Sequence, residues 1–380
     1  MKYKRLGELC NIVSGGTPSR SKTEYWNEGT IPWIKIGNIK GKYINEADEF
    51  ITQMGLDKSS AKLLTKGTVL YSIFATLGEV GILGIDACTN QAIAGITIKD
   101  VSSIDADYLY YYLKSKKSYV NNVGRGVAQN NINLSMLREF EVPLLELHKQ
   151  KEIVTILDMV LNIIVARKEE LKKLDELIKA RFVEMFQDGY SPLKTVEEIC
   201  SNIVDCPHTT PKYEGELKNP AIRTSEIKKG FLVWNTMRYV SDDEYLKRTV
   251  RLIPEAGDIV YGREGTFGNA AILPAGYKFC LGQRVMLLRP DYSKCTSEYL
   301  LHAVISDDVY QQAVVKNNAS TVAHVNVKDV KQFKVPLPSL DKQKEFADFV
   351  NQVNKSKVAI QAALDKSQLL FDSLMQKYFG

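Results

Sequence analysis

Two stretches of the chain carry apolar residues at helical spacing with nothing to break it. No proline or glycine occurs from His148 to Asp188, and Ile153, Leu157, Val160, Ile164, Leu171, Leu174, Ile178 and Met185 recur at intervals of three and four. Arg167 and Arg181 interrupt the stripe. This spacing predicts one long helix with a heptad-like seam. The matching positions 193 residues on are Phe346, Val350, Val353, Lys357, Leu364, Ser367, Phe371 and Tyr378, with Ile360 and Leu374 where the arginines stood. About 38 residues at ~1.5 Å each make a rod of roughly 57 Å. A helix cannot bury its own stripe, so the two are expected to pack on each other, antiparallel if a twofold relates them.

Elsewhere the pattern changes. TIPWIKIGNI, GTVLYSIFA, EVGILGI and AIAGITIK read as short strands before the first helix. PAIRTSEI, GDIVYGR, AAIL and RVMLLRP do so before the second. Each run is bounded by Gly, Asn or Pro. DADYLYYYLKSKKSYVNNV and TSEYLLHAVISDDVYQQAV read as helices among them. Tyr108, Tyr110, Tyr111 and Tyr112 fall there at core spacing.

The chain is one unit written twice. Residues 133–152, NLSMLREFEVPLLELHKQKE, align with 326–345, NVKDVKQFKVPLPSLDKQKE, at ten identical positions of 20. GTVLYSIFATLGEVGIL (67–83) aligns with GDIVYGREGTFGNAAIL (257–273), and RLGELC (5–10) with TVEEIC (195–200). A period near 190 residues excludes a solenoid of small repeats. The expected fold is α+β, or mixed α/β: two similar globular domains and two long antiparallel helices forming a coiled-coil-like rod, pseudo-twofold. The expected domains are 1–147 and 188–340, with spacer helices at 148–187 and 341–380.

Composition narrows the class without fixing it. The 380 residues are 44% hydrophobic and 25% charged, so long disorder is not expected. No apolar run approaches the ~20 residues that cross a bilayer, and the first residues lack a signal-peptide core, which points to the cytoplasm. Six cysteines form no CxxC, so neither a zinc finger nor a redox dithiol is expected. A net charge of +5 permits nucleic-acid binding without demanding it.

The order of domain, long helix, domain, long helix, with the repeated segments quoted above, resembles the specificity subunit of type I restriction–modification enzymes. Ser14-Gly15-Gly16-Thr17-Pro18, Tyr25-Trp26 and Ile31-Pro32-Trp33-Ile34 followed by Gly37-Asn38-Ile39 resemble the opening of one class of that family's recognition domain. Asp205 to Tyr213 (DCPHTTPKY) with Ile222 to Ile227 (IRTSEI) resembles another. Asn131-Ile132-Asn133 and the VPL-to-KQKE entry into each helix are similar too. The resemblance covers almost the whole chain. It implies that each domain reads one half of a bipartite double-stranded DNA site and that the helices set the gap. It also implies docking of two modification (methyltransferase) subunits, with restriction subunits as further partners and no membrane. No cofactor is implied in this chain. S-adenosylmethionine, and ATP with Mg where a restriction subunit is present, belong to the partners.

The residues agree with a chain that does no catalysis. It contains no Asn-Pro-Pro-Tyr/Phe motif and no GxxxxGK[ST]. Two other readings stay open: a self-contained DNA methyltransferase or nuclease, and a scaffold that spaces two protein-binding domains.

Reading bases requires donors and acceptors at their edges, with further contacts on phosphate to fix register. The candidate DNA-binding residues of the first domain are Ser14, Gly15, Gly16, Thr17, Ser19, Arg20, Lys35, Asn38, Lys40, Ser72, Thr76, Asn90, Gln91, Arg125, Gln129 and Asn130. Those of the second are His208, Thr209, Thr210, Lys212, Arg223, Thr224, Ser225, Arg263, Glu264, Thr266, Gln283, Arg284, Asn318 and Ser320. Gly78, Gly268, Tyr71 and Tyr261 repeat between copies and are read as fold-determining. Positions that differ between copies are read as specificity candidates, with Arg263 and Arg284 foremost. No metal site is expected. His208 has only Cys206 near it in sequence.

Overall fold

The structure is a computed structural model that describes residues 2–124, 132–187, 191–214, 218–265, 267–317 and 324–380. It forms two compact units, Met1–Lys168 with Ala362–Gly380, and Glu169–Gln361. The helices Leu147–Phe186 and Leu340–Phe379, 40 residues each, contribute to both.

In the first unit a five-stranded sheet has the order Cys10–Ser14, Ile93–Ile98, Val69–Ser72, Val80–Leu83, Tyr43–Ile44, antiparallel except for its last pair. A three-stranded sheet sets Ile31–Ile34 between Glu49–Ile51 and Cys88–Thr89. The second unit repeats the plan. Cys200–Asp205, Val285–Pro290, Ile259–Gly262 and Ala270–Ile272 form an antiparallel sheet. Asn219–Ile222 runs parallel to Cys280–Leu281 beside Arg238–Val240.

The repeated motifs have physical causes. In each copy the VPL segment is a strand that ties the end of the domain to its beginning. Glu141–Leu144 pairs with Lys2–Arg5, and Lys334–Pro336 pairs with Leu193–Thr195. The glutamine of KQKE is fully buried in both copies. Gln150 Oε1 accepts from the Asp105 amide at 2.9 Å, and its Nε2 donates to the Ser103 and Leu145 carbonyls. Gln343 does the same with the Thr296 amide and the Lys294 and Pro338 carbonyls. A buried amide must satisfy its own polar atoms, and here it satisfies three backbone groups as well. Gly78 and Gly268 both lie in the left-handed region, at φ 79° and 82°.

Within the second unit the long helices run in opposite directions. The rings of Phe182 and Phe186 lie 5.5 and 5.3 Å from Phe346, Arg181 bonds Glu345 at 3.0 Å, and Asp175 pairs with Lys357. Lys357, the polar break in the seam, is thus neutralised by the opposite helix. Phe182, not Arg181, fills the seam at that turn. In the first unit Leu157, Val160 and Ile164 are buried, as are Leu364, Phe371 and Met375. Tyr111 links the two sets: its hydroxyl donates to Asp158 and its ring lies 6.2 Å from Phe371. The tyrosine cluster is core, with Tyr108 to Tyr112 at most 3% exposed.

The helices expected among the strands each divide in two: Ala106–Ser115 with Lys117–Gly124, and Ser297–Val304 with Asp307–Asn317. The second member of each pair lies against the glycine turn of the neighbouring hairpin. A Cβ at Gly78 would meet Lys117 at 3.1 Å, and one at Gly268 would meet Tyr310 at 3.1 Å. All six cysteines are free. Burial pushes the thiols of Cys10, Cys200 and Cys280 up to about 12, which keeps them inert.

Candidate nucleic-acid interface

Strand register decides which polar residues meet. In the first unit Ser14 lies opposite Ala94, and Ser72 opposite Ile93. The loops after Ser14, before Ile93 and after Ser72 therefore leave one end of the sheet. Ile34 pairs with Thr89, and the Asn90 amide donates to the Ile34 carbonyl at 3.1 Å, which brings Lys35 to the same place. The second unit does likewise. Asp205 lies opposite Met286 and Gly262 opposite Val285, and the Gly282 amide donates to the Ile222 carbonyl at 2.7 Å beside Arg223.

At the first of these ends Thr17 Oγ1 bonds Gln91 Oε1, and Ser14 Oγ donates to the Gln91 carbonyl at 3.3 Å. Arg20 stacks over Trp26 with its guanidinium 3.6 Å from the ring centre. Arg20 and Lys35 share Glu49, whose carboxyl is held below its ordinary range chiefly by the Lys35 bond. Asn38 Oδ1 accepts from the Lys35 amide at 2.9 Å and closes a turn. Ser19, Lys40 and Thr76 are exposed. Asn90 Oδ1 accepts from the Ala92 amide at 3.2 Å.

Some candidates serve the fold. Ser72 is fully buried, its hydroxyl donating to the Thr76 carbonyl and accepting from the Glu79 amide. Gly15 and Gly16 allow close backbone approach: added Cβ atoms would lie 2.2 Å from Thr89 Oγ1 and 2.3 Å from Ser60 Oγ.

In the second unit Gln283 Nε2 donates to Thr210 Oγ1 at 3.0 Å. Thr209, Lys212, Ser225 and His208 are exposed, and Thr224 is half-buried. His208 Nε2 lies 3.3 Å from Asp205. Glu264 bonds Arg284 at 3.0 Å and His324 at 3.3 Å. Arg284 is well exposed and holds a left-handed backbone at φ 65°, unusual for a residue with a side chain. A cleft of about 590 Å³ lies among Asp205, His208, Arg263, Glu264 and His324.

Two of the candidate arginines are engaged within the fold. Arg263 is only 4% exposed and bonds Asp205 at 2.8 Å, so it clamps two strand ends together. Its difference from Ile73 marks a different way of holding the loop. Arg223 is drawn into Glu226, with Nε 3.0 Å from the carboxylate, and donates to the Thr236 carbonyl at 3.1 Å. Arg125, Gln129, Asn130, Thr266, Asn318 and Ser320 lie outside the described residues. Among the described residues no group of three or more His, Cys, Asp or Glu is placed to hold a metal ion.

Sequence reasoning missed Arg248. Its side chain is 2% exposed and donates to the carbonyls of Leu281, Gly282 and Thr209 at 2.9, 2.8 and 3.0 Å, with Glu244 at 3.3 Å. It pins the loop carrying Thr210 to the loop carrying Gln283. Nothing in its local pattern, EYLKRTV, sets it apart from a surface helix end.

A duplicated α+β domain, each copy ending its main sheet in a cluster of polar loops and each bound to a pair of long helices, defines a two-domain recognition protein. The chain belongs to the type I restriction–modification DNA specificity domain family, whose sequence model matches residues 1–175 and 211–367. It is 29% identical over 210 residues to the specificity subunit of the type I restriction enzyme MjaIX of Methanocaldococcus jannaschii, covering 53% of this chain and 47% of that one. To the EcoR124I/EcoR124II specificity subunit of Escherichia coli it is 27% identical over 164 residues, 42% of this chain and 40% of that one. These two alignments thus span less than half of the relatives' length. That to the MjaVIII specificity subunit of M. jannaschii, at 21% identity, spans 92% of this chain and 85% of that one. The fold is similar to the crystal structure of a type I restriction–modification S subunit from M. genitalium, with TM-score 0.56 and 16% identity over 100% of this chain and 96% of the other. No described helix is long and apolar enough to cross a membrane.

Proposed function

We propose that this chain is the DNA-sequence-specificity subunit of a type I restriction–modification system and performs no catalysis itself. Each domain reads one half of a bipartite site in double-stranded DNA through the loops at its sheet end, and the long helices fix the gap between halves. The observation that carries this reading is the repetition, in two domains of one family, of the same sheet-end geometry with different accessible side chains on it: Lys35 and Asn90 in one, Ser225 and Arg284 in the other. A common frame with different donors is what reading two different sequences requires.

The partners in this proposal are two methyltransferase subunits, which bring S-adenosylmethionine, and restriction subunits, which bring ATP and Mg. The first long helix exposes Ile156, Met159 and Ile163 at intervals of three and four, an apolar strip suited to a partner helix. The adenine or cytosine to be methylated is turned out of the stack into the partner's pocket. Work on chromosomal DNA places the complex in the cytoplasm. Genome-wide methylation mapping of cells that express the chain with its methyltransferase subunit tests the proposal. The expected result is one bipartite motif with a fixed gap. Methylation without this chain, or a motif with no gap, would refute it.

A further inference from the structure

The two sheet ends share one feature that the sequence alignment does not display. The same backbone landmarks recur at both ends. The first amide beyond strand Cys10–Ser14, that of Gly15, donates to the Ile93 carbonyl at 3.1 Å. The first beyond Cys200–Asp205, that of Cys206, donates to the Val285 carbonyl at 3.1 Å. Gln91 and Gln283 each stand two residues before that acceptor. Thr17 comes two residues after the donor in one copy and Thr210 four after it in the other, and each is followed by proline. Despite the unequal loops, the two side chains meet in both: Thr17 with Gln91, Thr210 with Gln283 at 3.0 Å.

What supports the pair is different in each copy. In the first, Gly16 lies directly against Ser60 and Ala61, its amide donates to the Thr89 carbonyl at 2.9 Å, and Trp33 Nε1 donates to the Gly16 carbonyl at 3.0 Å. In the second there is no such glycine. There the guanidinium of Arg248 joins Thr209 to Leu281 and Gly282. A pair required only by the fold would be expected to change with its scaffold. This one is rebuilt on two scaffolds.

We infer that Thr17–Gln91 and Thr210–Gln283 are equivalent neutral clasps for a phosphate of the DNA backbone, and that Arg248 is the positioning residue of the second. The inference rests on the DNA-reading function proposed above. Two domains that read different half-sites can share only contacts to what the half-sites have in common, and the sugar–phosphate backbone is common to all sequences. The chemistry fits an anion. When Thr17 donates to the Gln91 carbonyl, both amide N–H bonds of Gln91 stay available. When Gln283 donates to Thr210, the threonine O–H and one amide N–H remain. Both pairs offer donors at the surface and carry no charge.

The experiment uses the full chain assembled with its methyltransferase subunits. Binding to a cognate duplex and to one with both half-sites scrambled is measured by fluorescence anisotropy over a range of salt, for Gln91→Ala, Gln283→Ala and Arg248→Lys. Each glutamine variant is expected to weaken binding to both duplexes by the same factor, about fivefold. The slope of log Kd against log salt and the methylated motif should stay unchanged, because no cation is lost. Arg248→Lys should reproduce the Gln283→Ala loss and leave the other half-site untouched. A changed base preference in either glutamine variant would make the pair a base reader and overturn the inference. Unchanged affinity in both would make it a fold contact and overturn it equally. Thermal unfolding of each variant separates a lost clasp from a lost fold, and the two glutamines, Gln91 exposed and Gln283 half-buried, keep the test open if Arg248→Lys fails to fold. If the unaltered complex binds no duplex, it is the DNA-reading function that falls.

Discussion

Gln150 and Gln343 show how a single buried side chain can hold a domain to a helix. Each satisfies one backbone amide and two carbonyls in a place water does not reach. Alanine at either position strands those groups, so Gln150→Ala and Gln343→Ala are each expected to cost about 2–4 kcal/mol. Chemical denaturation checks this, and a glutamate, which cannot donate to the carbonyls at neutral pH, should not rescue. The KQKE repeat made these positions visible in sequence, but not their bonds. His302 was not visible at all. It sits half-buried, its ring 5.2 Å from Phe346 and 6.2 Å from Phe182, on a cleft of about 730 Å³ with Lys357 and Asp175. Burial, with Lys357 adding to it, lowers its pKa to about 4. The unfolded imidazole takes a proton near 6.5, the folded one only near 4, so its contribution is intact above pH 6.5 and is lost as pH falls through that window. The loss by pH 5 is about 2 kcal/mol. His302→Phe should flatten the fall in unfolding free energy between pH 6.5 and 5. An unaltered slope would show that other groups set it.

At the scale of elements, periodicity was the most legible signal. The long helices, the strand pair around each repeated glycine and the burial of the tyrosine cluster all follow from spacing that any reader of the chain can count. What spacing could not show was how loops are held. Arg263 and Arg248 look alike in sequence to arginines that face a ligand, yet both are buried, Arg263 against Asp205 and Arg248 among the carbonyls of Thr209, Leu281 and Gly282, all from other parts of the chain. A long-range partner leaves no local mark, which is why the burial of Arg263 was not legible and Arg248 went unnoticed. The split of each medium helix has the same origin, since it reflects the hairpin packed beside it. Gly78 and Gly268 lie at that packing point with positive φ, and a Cβ there meets both strain and a neighbour at 3.1 Å. Alanine at either should therefore destabilise its unit by about 1–3 kcal/mol. Alanine at Gly230, which has the same left-handed backbone at φ 91° but open space around it, should cost less. Thermal denaturation of the three variants distinguishes packing from backbone strain.

For the molecule as a whole the decisive elements are the two that belong to both units. Each long helix runs without a break across the division at 168–169 or 361–362. If these helices fix the separation of the half-sites, their length must be written into the methylated motif. One helical turn of four residues, added to both at those divisions, lengthens each by about 6 Å. Base pairs stack about 3.4 Å apart, so the gap between half-sites should grow by one or two base pairs. Both half-site sequences should stay as they were, because no recognition loop has been touched. Inserting the turn into one helix alone puts the seams out of step, separating pairs such as Asp175–Lys357 and Arg181–Glu345, and should lower stability before it changes the gap. Methylation mapping of the double insertion reads out both quantities at once. Altered half-sites with an unaltered gap would mean that the helices support the domains without measuring the distance between them.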